Sequence, residues 1–266
     1  MSELVDVLDH ELRQISYRFN ICGFVNQSGD VYPLGSDTKV LSTVFELVCR
    51  PVIITVAKKL DYEVVEPVLQ NHYPDFSLVR SVVDSEFDPP GPKFPLARSR
   101  FEKPKIAIDV KTTYRGAGEK FNYTLGGYTS FIRLGSESKN IVFPFSDYVK
   151  HYIIGFIYSR TATQKTAVSR FTYTLENLAS IPLPIQDIEF FVQEKWRIAG
   201  DRAGSGNTTN IGSITGTLDD FRNGRGPFES EDEFLEYWRG YERTAVERSK
   251  LYSNISEFRR LKQNRS

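Results

Sequence analysis

The stretch Ile106-Ala107-Ile108-Asp109-Val110-Lys111 alternates apolar side chains with a second set that ends in a carboxylate and an ammonium. Drawn out as a strand, it sends Ile106, Ile108 and Val110 into a core and places Ala107, Asp109 and Lys111 on the opposite face. The rise of an extended chain then separates Asp109 from Lys111 by about 7 Å. A carboxylate can hold a hard cation such as Mg²⁺, and the neighbouring ammonium can orient a water or stabilise charge that develops on a phosphate. Upstream, Tyr73-Pro74-Asp75-Phe76 ends an extended X-Pro segment with a second acid, so Asp75 can supply another oxygen ligand. The plain alternative is a strand with a charged outer face, because Asp-x-Lys recurs by chance and the spacing from Asp75 is loose.

Longer strings separate these readings. Tyr32-Pro33-Leu34-Gly35-Ser36-Asp37-Thr38-Lys39-Val40-Leu41-Ser42-Thr43, Gln70-Asn71-His72-Tyr73-Pro74-Asp75-Phe76 and Thr124-Leu125-Gly126-Gly127-Tyr128-Thr129-Ser130-Phe131-Ile132-Arg133 follow one another along the chain. Trp196, Ile198-Ala199-Gly200-Asp201, Ala203-Gly204-Ser205-Gly206-Asn207-Thr208-Thr209-Asn210-Ile211-Gly212-Ser213-Ile214 and Ser230-Glu231-Asp232-Glu233-Phe234-Leu235 continue the series. Together they resemble the EcoRV family of type II restriction endonucleases, from about Ile21 to Arg259. The resemblance implies an α/β (α+β) restriction-endonuclease-like core, a central mixed β-sheet flanked by helices, and a DNA-binding cleft formed by a homodimer. It also implies Mg²⁺-dependent cleavage of both strands of a palindromic DNA duplex, expected at GATATC and leaving blunt ends. Asp75 and Asp109 then bind metal, Lys111 orients the attacking water, and Glu46 is a further acid near the metal. A companion DNA methyltransferase is expected in the host, though not as a stable subunit.

The segment from Gly204 to Asn210 suits base readout on its own chemistry. Its glycines let backbone approach a ligand, Asn pairs bidentately with adenine, and the Thr methyl can touch the methyl of thymine. An ordinary flexible Gly/Asn loop has the same composition. The resemblance assigns Gly204, Ser205, Gly206, Asn207 and Thr208 to base recognition. By the same resemblance Gln70 and Asn71 approach the minor groove, and Thr38, Lys39, Thr112, Ser130 and Asn210 contact groove or backbone. Phosphate contacts of that kind position a duplex without reading it.

Composition bounds the class independently. With 266 residues, 40% hydrophobic and 13% aromatic, the chain can bury a full core in one large domain or two unequal lobes. Cys22 and Cys49 read as plain thiols, and His10, His72 and His151 are scattered without metal-type spacing. Acids at Glu3, Asp6, Asp9 and Glu11 replace the basic start of a secretory signal. The longest apolar run, around Tyr152 to Tyr158, is too short to span a bilayer, so the expected setting is cytoplasmic, with no membrane partner. Basic and acidic residues balance at 34 each, which removes global basicity as an argument for nucleic acid. A local field remains: Lys93, Arg98, Arg100, Lys103, Lys105, Lys111, Arg115 and Lys120 outnumber the acids among them.

Three parts are expected: 1–60, helical and dimerising; 61–181, the catalytic sheet; and 182–266, for recognition, after a hinge at Pro182-Leu183-Pro184. Leu4, Leu8, Leu12, Ile15 and Phe19 stripe a helix over 3–19 that packs on another element or a second subunit. A second helix runs from Thr38 towards Leu60, bent or interrupted at Pro51. Strands are expected at 62–66, 75–80, 105–111, 121–125, 140–143, 152–160 and 188–198. The Pro-rich stretch at about 81–104 reads as a surface loop, an insertion of roughly eighteen residues relative to the family. Ser230-Glu231-Asp232-Glu233 predicts a capping box ahead of an aromatic helix stripe that belongs to the core. Two other functions stay open on the residues alone: a DNA-binding protein without cleavage, and a repair or junction nuclease with the same acid-acid-lysine core.

Overall fold

The computed structural model describes residues 3–35, 37–69, 71–81, 101, 104–126, 131–133, 140–161, 173–204, 210–241 and 251–264. Five strands form the central sheet: β3 (Glu63–Val65), β4 (Phe76–Val79), β5 (Lys105–Tyr114), β6 (Tyr148–Arg160) and β8 (Ile185–Glu194). Their order is β3-β4-β5-β6-β8, antiparallel at every pairing except β5 with β6, which is parallel. The sheet is therefore mixed and flanked by helices, an α+β architecture as expected. Strand β8 lies beyond Pro182-Leu183-Pro184 and yet pairs with β6, so the sheet runs across the expected 181/182 division.

Alternation along β5 holds, but both of its faces are covered. Ile108 and Val110 join Phe76, Leu78, Tyr152, Ile154, Phe156, Phe190 and Val192 in a core beneath two helices, α1 (Glu3–Gln14) and α2 (Thr38–Lys59). Ala107, Ile153, Ile157 and Phe191 belong to a second core on the opposite side, built with the C-terminal elements. Asp109 thus does not lie on a solvated outer face, being only 3% exposed, while Lys111 reaches a partly open position. Gly155, opposite both Lys111 and Phe191, leaves room for the Phe191 ring, which a Cβ at that position would overlap.

Helix α2 begins where the Asp37 carboxylate accepts from the N–H groups of Lys39 and Val40, and it continues through Pro51. Pro51 removes one backbone donor, but Cys49, Val52 and Ile53 are buried on either side and tertiary packing holds the helix together. Contrary to expectation, a helix of transmembrane length and composition exists: α2 is long and apolar enough to cross a bilayer. Leu41, Phe45, Ile53 and Val56 nevertheless pack it on the sheet, as a core helix does. The apolar stripe of α1 packs within the chain, where Leu4, Val5, Leu8 and Leu12 are buried. That helix stops at Gln14 instead of reaching 19, and a 3₁₀ turn over Ser16–Phe19 swings Phe19 onto Phe45 and Phe156.

Other differences arise from pairings distant in sequence. The strands β1 (Gly23–Val25), β2 (Asp30–Pro33) and β7 (Tyr173–Thr174) form a separate sheet that no local pattern in the sequence announces. The expected strands at 121–125 and 140–143 make only isolated bridges, Phe121 with Gly216, Thr124 with Gly212 and Ile141 with Tyr73. The segment 188–198 is not one strand: β8 ends at Glu194, a single turn α3 (Lys195–Ile198) follows, and β9 (Ala199–Ala203) then pairs with β10 (Ile211–Ser213).

Helices α4 (Leu218–Arg222), α5 (Glu231–Gly240) and α6 (Ile255–Gln263) complete the second core, with Phe234, Tyr237, Trp238 and Tyr241 buried as expected. Only half of the capping box at Ser230 forms: its side chain accepts from Glu233 N–H, while the Glu233 carboxylate takes Glu229 N–H and pairs with Arg259. Most of the Pro-rich stretch lies outside the described residues; Ser81 and Phe101, at its base, pair antiparallel.

Candidate active site

Register brings the two acids together. Phe76 pairs with Ile108 across the antiparallel β4–β5 ladder, so the step before Phe76 sets Asp75 beside Asp109. The Val110 N–H donates to Asp75 Oδ2 at 2.7 Å. Two lysines converge on Asp109: Lys111 Nζ lies 2.8 Å from Oδ1, and Lys195 Nζ lies 3.4 Å from Oδ2. Lys111 also donates to the Val110 carbonyl at 3.2 Å. Lys195 is buried, with its ammonium 3.5 Å from the Leu125 carbonyl oxygen and 4.2 Å from the centre of the Tyr73 ring. The Tyr73 hydroxyl is hydrogen-bonded to His151 Nδ1 at 2.7 Å.

These contacts set the charges. Burial raises the Asp75 pKa well above the usual carboxylate range, and the adjacent Asp109 charge adds to the shift. Burial also opposes ionisation of Asp109, but Lys111 and Lys195 outweigh it and bring the pKa down to about 2. Of the two, Asp75 therefore holds a proton more tightly and Asp109 ionises more readily. Lys111 is pushed above its ordinary value, because Asp109 and Asp75 overcome the cost of burying it. Burial lowers Lys195 to about 8 despite Asp109, and it pushes His151 well below its ordinary value, with the Lys195 charge acting in the same direction.

The acids adjoin a cleft of about 950 Å³ lined by Thr38, Lys39, Glu46, Asn71, Lys111 and Thr112. Glu46 is shifted upward by its own burial, with Lys111 opposing and Asp109 reinforcing the shift. A second depression of about 650 Å³ lies along the β9–β10 hairpin and includes Gly204. The two share Asn122, Tyr123, Thr124 and Thr215, so the lysine-lined cleft and the hairpin are neighbours. The Gly204 N–H donates to the Asn210 carbonyl at 2.8 Å, closing the base of the candidate recognition segment. Gln70, Ser130, Ser205, Gly206, Asn207 and Thr208 lie outside the described residues.

Among the described residues, no three His, Cys, Asp or Glu side chains gather as a metal cage, so Glu46 does not complete a three-carboxylate set with Asp75 and Asp109. Two adjacent carboxylates still fit a hard divalent ion, since Mg²⁺ keeps several waters and is held through one or two carboxylates plus substrate phosphate. Lys195 was not among the residues singled out from sequence. Its only local signal is its place directly before Trp196, at the end of a mixed polar and aromatic run without helical period.

A carboxylate pair and a lysine on a mixed sheet, next to a polar cleft and a Gly-rich hairpin, define a nuclease of the restriction-endonuclease class. The chain belongs to the family described as Restriction endonuclease EcoRV, which matches residues 15–88 and 90–263. It is 50% identical over 259 residues to the type II restriction enzyme EcoRV of Escherichia coli, covering 97% of this chain and 95% of that relative. The protein is a type II site-specific deoxyribonuclease, and DNA is its substrate. Enzymes of this type generally depend on a divalent metal.

Proposed function

We propose that the protein acts as a homodimer that uses Mg²⁺ to hydrolyse one phosphodiester in each strand of GATATC, leaving blunt ends. The Asp75–Asp109–Lys111 constellation beside the β9–β10 hairpin carries this reading. Asp75 and Asp109 would hold the ion, with Glu46 adding negative charge nearby. Bound there, a divalent ion polarises a phosphoryl oxygen and acidifies water. Lys111, kept protonated by the two acids, donates to the attacking water or to an equatorial phosphoryl oxygen as charge builds. Thr38, Lys39, Asn71 and Thr112 line the cleft, where they would contact the groove or backbone of the duplex; by the family resemblance Gln70, Ser130 and Asn210 share that role. Gly204, Ser205, Gly206, Asn207 and Thr208 read the bases, consistent with the recognition string shared with the family.

One active site per chain requires two chains to cut two strands, and a two-fold dimer matches a palindrome. Tyr17, Phe24, Val25 and Tyr32 remain exposed on and beside the β1–β2 hairpin, an apolar surface that a second copy would cover. The 1–60 part then supplies the dimer contact through this hairpin, and 182–266 supplies recognition. An enzyme with this specificity requires protection of the host's own sites, hence a companion methyltransferase, and it works in the cytoplasm where that DNA lies.

The test is digestion of linear and supercoiled DNA of known sequence, with Mg²⁺ or with chelator, followed by sequencing of every new end. Blunt ends at GATATC only with Mg²⁺ are expected. Ends at another palindrome would refute the assigned site, and cutting in chelator would refute the metal.

A further inference from the structure

Lys195 opens α3, the single turn between β8 of the central sheet and β9 of the recognition hairpin. Its side chain is 1% exposed, so it is walled off from the cleft, whereas Lys111 lines it. From that enclosed position its ammonium meets three groups among the described residues. It lies 3.4 Å from Asp109 Oδ2, the carboxylate oxygen that Lys111 does not hold. It lies 3.5 Å from the Leu125 carbonyl, and Leu125 is tied to the hairpin because its N–H donates to Ile211 O at 2.8 Å. It also sits 4.2 Å from the ring of Tyr73, two residues before Asp75. A buried ammonium tolerates the loss of its counter-ion poorly, so Lys195 and Asp109 are held to each other. Because α3 runs directly into β9, a shift of β9 would be passed through the Lys195 ammonium to Asp109.

We infer that Lys195 is a positioning residue that couples the seating of the recognition hairpin on DNA to the orientation of Asp109. The inference rests on the metal-nuclease reading above. The hairpin, seated on the right bases, sets α3 in the position where Asp109 faces the cleft correctly; seated on altered bases, it leaves Asp109 misaligned. Selectivity then arises in the chemical step as well as in binding.

The experiment compares full-length wild type, Lys195→Met and Lys195→Arg on a duplex bearing the wild-type site and on duplexes with one base pair changed. Wild-type cutting with Mg²⁺ is the control for the underlying reading; its failure would overturn that reading and not the role of Lys195. Lys195→Met is expected to lose about 10–100-fold in kcat at the cognate site, the usual effect of removing a partner behind a metal ligand. KM for DNA, melting temperature and Mn²⁺ binding (read by electron paramagnetic resonance on an uncleavable duplex) should stay near wild type. Cutting at altered sites should fall much less, so that the cognate-to-altered ratio collapses. Lys195→Arg, which keeps the cation with a different reach, should lose less on the same ratio. It carries the test alone if the Met variant fails to fold. Equal losses at all sites, an unchanged kcat, or a joint loss of KM, melting temperature and Mn²⁺ binding would each overturn the coupling role.

Discussion

The backbone N–H of Val110 donates to the Asp75 carboxylate at 2.7 Å, clamping the acid before β4 onto the strand that carries Asp109 and Lys111. A dehydrated carboxylate is thereby held beside a second one, and its proton affinity rises.

Metal binding should therefore release a proton from Asp75. Because its pKa is raised in the folded protein, its stabilising contribution is complete below about pH 4 and is lost as pH climbs through the folded value. A divalent ion takes the place of that proton, so the rise in melting temperature with Mg²⁺ should be larger at pH 8 than at pH 5.5. Calorimetry in buffers of different ionisation enthalpy should show proton uptake by buffer on metal addition. A metal-induced shift independent of pH would contradict the proton-sharing pair.

Substitution of Asp109 and of Lys111 should separate chemistry from stability. Lys111→Ala is expected to lose about 10²–10³-fold in kcat, as for a donor aimed at developing charge, with melting near wild type because Asp109 keeps Lys195. Asp109→Ala should abolish cutting and also melt lower, since the buried Lys195 loses the Asp109 carboxylate. Lys195, already held near 8, falls further in that variant, so the deficit should widen as pH drops from 10 towards 6. Circular-dichroism melts across that range would check the trend.

A methyl group at Gly155 would meet the Phe191 ring at 2.2 Å, inside a packed core where Phe191 is 1% exposed. Gly155→Ala should cost about 1–3 kcal/mol in urea unfolding, the usual penalty for overpacking. Adding Phe191→Leu should recover part of it; a neutral single variant would show that the ring can move aside.

Asn207→Ala tests the recognition assignment. Loss of one bidentate base contact removes about 1–3 kcal/mol of discrimination, so cutting should spread to altered sites while salt-dependent, non-specific DNA binding remains. Unchanged site preference would reassign the readout.

Local order was largely readable. Alternation from Ile106 to Lys111 predicts β5, Asp37 and Ser230 mark helix starts, and the two acids with Lys111 stand out because their chemistry is carried in a few adjacent letters. The extent of α2 is legible apart from its continuity at Pro51, whereas the helix ending at Gln14 and the split of 188–198 into strand, turn and strand are not, because packing and capping decide where an element stops.

The sequence by itself determined the strand period, the helix caps and the catalytic residue types, all of which act over a few bonds. Only the tertiary structure decided that β8 crosses Pro182 to join the catalytic sheet, that the Asp109 face is a second core, and that Lys195 reaches Asp109. Those facts depend on ladder register and on which surfaces meet, and segments far apart in the chain set both through the burial they share.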